Sequence, residues 1–446
     1  MTEPGLRLKI FQEAASYGDL VCIPIIPVLG LALYFVNHPD YIKHILMDNE
    51  GNYSNPYTVP PIANTLLGNG LLRSEGEFHA HQRRLIQSGF HGERIAGYAH
   101  VMVEYTENQT SAWKSDETRD IHREMMQLSM KIVARCLFGA DVSRDVERVA
   151  TATTALIEDF SSSVSRSRQL IPILGASWLT ALVQRLPDPT RHRYESSIQL
   201  IDDLVYRIIK DRRASEEEKD DLLTMLLDSL EGESNEASTI DRQVRDEVMT
   251  LLLAGHETTA SAVTWTLYAI SRYPEVEAKL HAEIDDVLGG RAPRLSDLAR
   301  LRYLRMVVSE SLRLYPPVPM LWRVAKVDDE VGGYTIPAGA PVTISQYVMH
   351  RDSAYWKAPE EFRPERFEQE AETARPRFAY FPFGGGSRRC IGESFAWMET
   401  ELLVATIAQR FRLKVAPNSV VEPEALLTLR PKHGLPMVIV KREAKA

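Results

Sequence analysis

The stretch Phe383-Gly-Gly-Gly-Ser-Arg-Arg-Cys390-Ile-Gly392 decides how this chain is read. It is a glycine-rich loop that delivers one cysteine, flanked by arginines, into the start of a helix. The thiolate, not the thiol, is the metal ligand, and nearby cations and a helix N-terminus favour it. Arg388, Arg389 and the amides after Cys390 are expected to supply both. Glycines at 384, 385, 386 and 392 permit positive φ angles and let the backbone pass close to a flat cofactor that side chains would block. The arrangement suits a thiolate bound to a metal.

Working outward, the second informative stretch is Ala254-Gly255-His256-Glu257-Thr258-Thr259. It falls inside a helix expected from about Ser238 to Tyr273, opened by the capping pattern Ser238 to Asp241 and closed by Pro274. At about 1.5 Å per residue such a helix spans roughly 50 Å, enough to cross the molecule. Gly255 costs about 1 kcal/mol relative to alanine there. The Thr258 hydroxyl is expected to bond back to the Ala254 carbonyl and loosen the helix locally, leaving room for a diatomic molecule and a water. Helical spacing puts Thr258 on the face of Ala254 and Gly255, with Glu257 rotated by roughly 100°. The two therefore have separate tasks: the hydroxyl contacts bound oxygen, and the carboxylate relays protons from solvent or reorganises water.

Composition sets the frame. The 446 residues are 44% hydrophobic and 25% charged, as in an ordinary globular protein. No linker-like segment divides them, so one domain over residues 1–446 is expected. A formal charge of −9 and the lack of a basic patch interleaved with aromatics exclude a nucleic-acid partner. Cys22, Cys136 and Cys390 are too few and scattered for a disulfide framework or a four-cysteine iron–sulfur cluster. Val21 to Val36 is short and interrupted by Pro24, Pro27 and Gly30, whereas a spanning helix needs roughly 20 apolar residues. It reads as a β-hairpin, so no membrane anchor is expected, and the N-terminus lacks the design of a signal peptide. A cytoplasmic protein follows.

From Tyr41 to about residue 290 the pattern is overwhelmingly helical, apart from a Gly/Pro/Asn-rich loop at 51–72 and turns at Gly139 and Leu186-Pro-Asp-Pro189. Short strands are expected around Tyr334, over Pro341 to Ser345 and over Met437 to Val440. The acidic segments 216–221 and 231–236 cap or link surface helices.

The cysteine stretch matches Phe-x-x-Gly-x-Arg-x-Cys-x-Gly through Phe383, Gly386, Arg388, Cys390 and Gly392, and so resembles the haem-binding loop of the cytochrome P-450 superfamily. The resemblance runs from about residue 16 to 443. It implies a mainly α fold with small β-sheets, with haem b between a long central helix and the cysteine loop, and Cys390 as the iron ligand. Ala254 to Thr259 resembles the superfamily's oxygen-activating motif, which makes Glu257 and Thr258 the catalytic pair and leaves His256 variable. Glu310-Ser-Leu-Arg313 resembles its Glu-x-x-Arg motif. Arg366, in Phe362-Arg-Pro-Glu-Arg-Phe367, completes that network as structural support for the cysteine loop. His79 and Arg83, in Gly76 to Arg84, with Arg323 and Arg388, match positions that contact the haem propionates.

The implied activity is oxygenation: O₂ is activated and one oxygen atom enters a hydrophobic small molecule such as a terpenoid, polyketide or fatty acid. With no dinucleotide fingerprint in the sequence, electrons are expected from a separate ferredoxin or flavodoxin and an NAD(P)H-dependent reductase, serving a monomer. The rivals are a peroxide-driven or non-oxidative haem-thiolate enzyme, and a haem-based sensor or binding protein. By the same resemblance, substrate is lined by residues 53–72 and 160–182, the helix from Met249 to Thr258, the turn Val318 to Leu321, and Leu427-Thr428. Arg166 or Arg168 would serve a carboxylate.

Overall fold

The computed structural model describes residues 4–26, 31–55, 65–90, 92–160, 191–215, 221–232, 236–369 and 373–442. Leu186 to Pro189, Arg166, Arg168 and most of the expected lining at 160–182 lie outside the described residues, as does 56–64 of the loop at 51–72.

A 36-residue helix, Ala237–Arg272, forms the axis of the molecule. It starts one residue before the expected Ser238. The Glu236 carboxylate, not a serine box, meets the first turn, accepting from Ser238 Oγ at 2.8 Å and Thr239 Oγ1 at 3.0 Å. Pro274 then opens the next helix, Pro274–Leu288, because a missing N–H costs nothing in a first turn. Most of the axial helix is buried, charged residues included. Helix Ile121–Phe138 packs along it closely enough that a Cβ on Gly255 would come 3.1 Å from a Val133 methyl. That close approach leaves little room for a side chain at 255.

The helix behind the cysteine, Glu393–Arg410, packs on the same axis, and its Phe395, Met398, Leu402 and Leu403 join the main core. At the edge lies a five-stranded sheet. Leu20–Ile26 and Leu31–Val36 form the expected hairpin. The second strand pairs in parallel with Pro341–Ile344, which continues antiparallel to Leu321–Ala325 and then to Tyr53–Ser54. A three-stranded sheet joins Thr118–Asp120, Pro436–Lys441 and Phe411–Val415. Two small hairpins, 329–336 and 423–431, also occur among the described residues. The second places Thr428 and Arg430 against the axial helix. Among the described residues, no helix is long and apolar enough to cross a membrane.

Candidate functional site: a cysteine loop, a central helix and a cationic cluster

The cysteine loop is held by contacts that dictate its sequence. Gly386 sits at φ +67°, and a Cβ there would lie 1.8 Å from the Leu46 carbonyl oxygen. The next amide, Ser387, donates to the Glu50 carboxylate at 2.7 Å. Gly385 needs its lack of side chain for a different reason: a Cβ would meet the Phe378 ring at 2.6 Å. Two of the four glycines, 384 and 386, have positive φ; 385 and 392 do not. Their small size thus seats the loop on protein at least as much as it admits a flat group. The Phe383 carbonyl accepts the Cys390 amide at 3.0 Å, closing the loop at the sulfur.

Cys390 is exposed on one side and closely surrounded on the others. That burial pushes its thiol up to about 11, and the Gly392 amide bonded to the sulfur, with Arg83 and Arg389, pulls it back. The expected helper Arg388 is directed elsewhere. Its terminal nitrogens donate to the Ser74 and Leu71 carbonyls at 2.6 and 3.4 Å, because the loop aims it at the strand of chain before helix Gly76–Gln87. Arg389 divides its charge, pairing with Glu393 one helical turn on. Arg83, four residues after His79, is the cation that sequence reasoning did not assign to the sulfur. A bound metal cation reverses the balance, since coordination deprotonates a thiol outright.

His79 and Arg83 stand with Arg388 in one cationic cluster. Burial and the two arginine charges hold the His79 ring down to about 4, neutral at ordinary pH. Neither His79 nor Arg83 has a side-chain hydrogen bond among the described residues. Arg323, on strand Leu321–Ala325, donates to the Trp322 carbonyl at 2.8 Å.

The oxygen side is built from the middle of the axial helix. Thr258 Oγ1 donates to the Ala254 carbonyl at 2.6 Å, as its spacing predicts. The expected loosening is absent: residues 251–260 are α-helical throughout, so the hydroxyl shares a carbonyl that the helix keeps. Ala254 is exposed and Thr258 half-buried, while His256 and Glu257 beside them are buried. Glu257 does not reach solvent. It accepts from Thr428 Oγ1 at 2.6 Å, and burial pushes its carboxyl up to about 7, against the pull of that hydroxyl and of Arg430. Arg430, on the same 423–431 hairpin as Thr428, pairs with Glu424 and with Glu158, whose side chain is 44% exposed. Thr428, expected only as lining, is thus the partner of the acid.

Glu310, Arg313 and Arg366 come together as expected. Arg313 grips Glu310 through Nε at 2.7 Å and Nη2 at 2.8 Å, Arg366 Nε adds a bond at 3.2 Å, and both members of the first pair are fully buried. Arg313 also donates to the His350, Pro359 and Glu361 carbonyls. The network ties helix Arg302–Leu314 to the segment that leads toward the cysteine loop.

This donor set fits haem. An accessible sulfur suits a transition metal, the Arg83 guanidinium and the His79 ring beside it suit carboxylates, and an uncovered alanine on a buried helix suits a flat apolar partner.

The comparisons agree with that class of protein. The chain belongs to the cytochrome P450 family, whose pattern it matches over residues 8–437. It is 37% identical to cyclooctatin synthase of Streptomyces melanosporofaciens, over 95% of this chain and 89% of that protein. It is 35% identical to cyclooctat-9-en-7-ol 5-monooxygenase of the same organism, covering 92% and 86%. Pentalenene oxygenase of Streptomyces avermitilis is 30% identical, covering 95% and 90%. The fold is that of a solved P450 haem domain, P450DA, with a TM-score of 0.82 over 98% of this chain and 93% of that one, at 24% identity. The protein is a haem-dependent monooxygenase.

Proposed function

We propose that this enzyme hydroxylates or epoxidises a cyclic terpenoid, with Cys390 as the iron ligand and Glu257 and Thr258 as the proton-handling pair. Relatives named for cyclooctat-9-en-7-ol and pentalenene support the substrate class. Haem, when bound, supplies the reductive activation of O₂. The observation that carries the residue roles is the contrast between Thr258 at the uncovered Ala254 and Glu257 behind it. The Thr258 proton is committed to the Ala254 carbonyl, which leaves its oxygen to accept a hydrogen bond from a water or substrate hydroxyl. Glu257 holds a proton at its carboxyl near neutrality, where an acid exchanges most usefully.

His79, Arg83 and Arg323 serve as partners for the haem carboxylates, and Arg388 adds its charge. Phe383, Gly386 and Gly392 shape the loop, while Glu310, Arg313 and Arg366 brace it. Residues 1–446 act as one domain and a monomer in the cytoplasm, fed by a ferredoxin or flavodoxin and its NAD(P)H-dependent reductase.

The test is turnover of a cyclic terpenoid panel with surrogate redox partners, preceded by a screen for the haem spectral shift that substrate causes. NAD(P)H-dependent hydroxylated or epoxidised product is expected. Turnover supported by peroxide alone would overturn the reading. Cys390→Ser should abolish the thiolate type of carbon-monoxide spectrum, because a neutral alcohol cannot match thiolate donation.

A further inference from the structure

Three consecutive charged residues of the axial helix, Arg245, Asp246 and Glu247, are buried two to three turns before Ala254, where solvated charges would ordinarily not be placed. All three are spent on one stretch of chain, residues 65–74. Arg245 Nη1 and Nη2 donate to the Leu66 and Thr65 carbonyls at 3.0 and 3.1 Å, with Asp202 as its counter-ion. Asp246 accepts the Asn69 amide at 2.7 Å, and a Cβ on Gly68 would lie 2.0 Å from that carboxylate. Glu247 accepts the Leu71 amide at 2.9 Å while Gln243 Nε2 donates to its other oxygen at 3.0 Å.

The far side of the same stretch is tied to the cysteine loop. The Leu71 carbonyl accepts from Arg388 Nη1, and the Ser74 carbonyl accepts from Arg388 Nη2. Leu71 therefore has its N–H held by the oxygen-side helix and its C=O held by the loop of Cys390. Helix Gly76–Gln87, with His79 and Arg83, starts two residues after Ser74.

We propose that Glu247, the Leu71 peptide and Arg388 form a clasp through which the central helix positions the cysteine loop and the cationic helix that follows residue 74. Glu247 is a positioning residue, seven residues and about two turns from Ala254 and so on the same helical face. A carboxyl suits the task in either protonation state. Charged, it accepts both donors; neutral, it still accepts the Leu71 amide and donates to Gln243 once that amide turns over. The functional consequence rests on the proposed haem partners; the clasp itself does not.

Hydrogen exchange of the haem-loaded enzyme, followed on peptides covering 65–75 and 384–392, tests it. Glu247→Leu should speed exchange in both segments by about tenfold, about 1.4 kcal/mol, since it orphans the buried Leu71 amide. Glu247→Gln should restore both, and Arg388→Leu should loosen 65–75 in return, as coupling is reciprocal. Asp297→Asn, which removes a remote, half-exposed ion pair with Arg291, should change neither. Loosening confined to 65–75 in Glu247→Leu would overturn the proposal, as would equal loosening in Asp297→Asn. Where Glu247→Leu does not fold, Gln243→Leu should show a smaller change in both segments, and a change in 65–75 alone would likewise overturn it. Haem-loss rate in Arg83→Leu judges the cationic cluster separately, so the two readings can fail independently.

Discussion

Glu310 and Glu257 are both buried glutamates on helices, and their surroundings give them opposite properties. Glu310 accepts from Arg313 twice, from Arg366 and from the Arg363 amide at 2.8 Å, so both carboxylate oxygens have a donor and two of its partners carry full charge. Glu257 has one hydroxyl donor, and burial dominates its acidity. Both carboxyls are buried, so what separates them is the number and charge of the donors set against that burial. The same residue type thus makes a brace at 310 and, on the proposed reading, the proton-handling group at 257.

The comparison breaks most visibly at the brace. Arg313→Ala takes from the fully buried Glu310 its closest counter-ion and two of its four bonds, leaving Arg366 at 3.2 Å and the Arg363 amide, at a cost of about 3–5 kcal/mol, a large share of a domain's stability. Haem-loaded soluble protein should be largely lost, as measured by haem absorbance per protein and by thermal unfolding; a normally loaded, stable variant would show the pair to be dispensable. Glu257→Gln should do the reverse, keeping fold and haem while turnover falls by about 10²–10⁴, the usual worth of a positioned acid or base. The same variant sharpens a stability argument. Because the folded value of Glu257, about 7, lies above its ordinary 4.5, its contribution is complete below pH 4.5 and lost as pH rises through 7. Glu257→Gln should flatten that part of the pH–stability curve.

Thr258→Ala removes one hydroxyl and should leave haem content and the substrate shift intact. Product per NAD(P)H should drop and hydrogen peroxide rise, read by assaying all three together; unchanged coupling would remove Thr258 from the pair. The smallest effect is expected from Thr428→Val. Its hydroxyl favours the carboxylate of Glu257, so its loss should move the alkaline limb of the turnover profile further above pH 7, with little change in the rate at lower pH.

Much of this was legible in local sequence. The cysteine loop, the acid–alcohol pair and the Glu310–Arg313 spacing each lie within ten residues, and local spacing suffices to find them. What remained hidden is long-range. Thr428 meets Glu257 from 171 positions away and Glu247 meets Leu71 from 176, and neither leaves a periodic trace. The charge run at 245–247 looks in sequence like a solvated face, yet the structure buries it against backbone. The helix start at Ala237 differed from Ser238 because an acid one residue beyond the helix competes with the serine pattern. Arg388 was assigned to the sulfur by adjacency, and the loop's own curvature sends it to residues 71 and 74.

The seat of Gly386 on the Leu46 carbonyl, with Ser387 bonded to Glu50 across 337 positions, also bears on how the molecule is made. Residues synthesised near the start of the chain form one wall of a loop synthesised near its end, so a nascent chain cannot complete the cysteine loop until almost all of it has emerged. Contacts of such high sequence separation slow folding. Closure of that wall therefore belongs with the long-range, slower steps of folding.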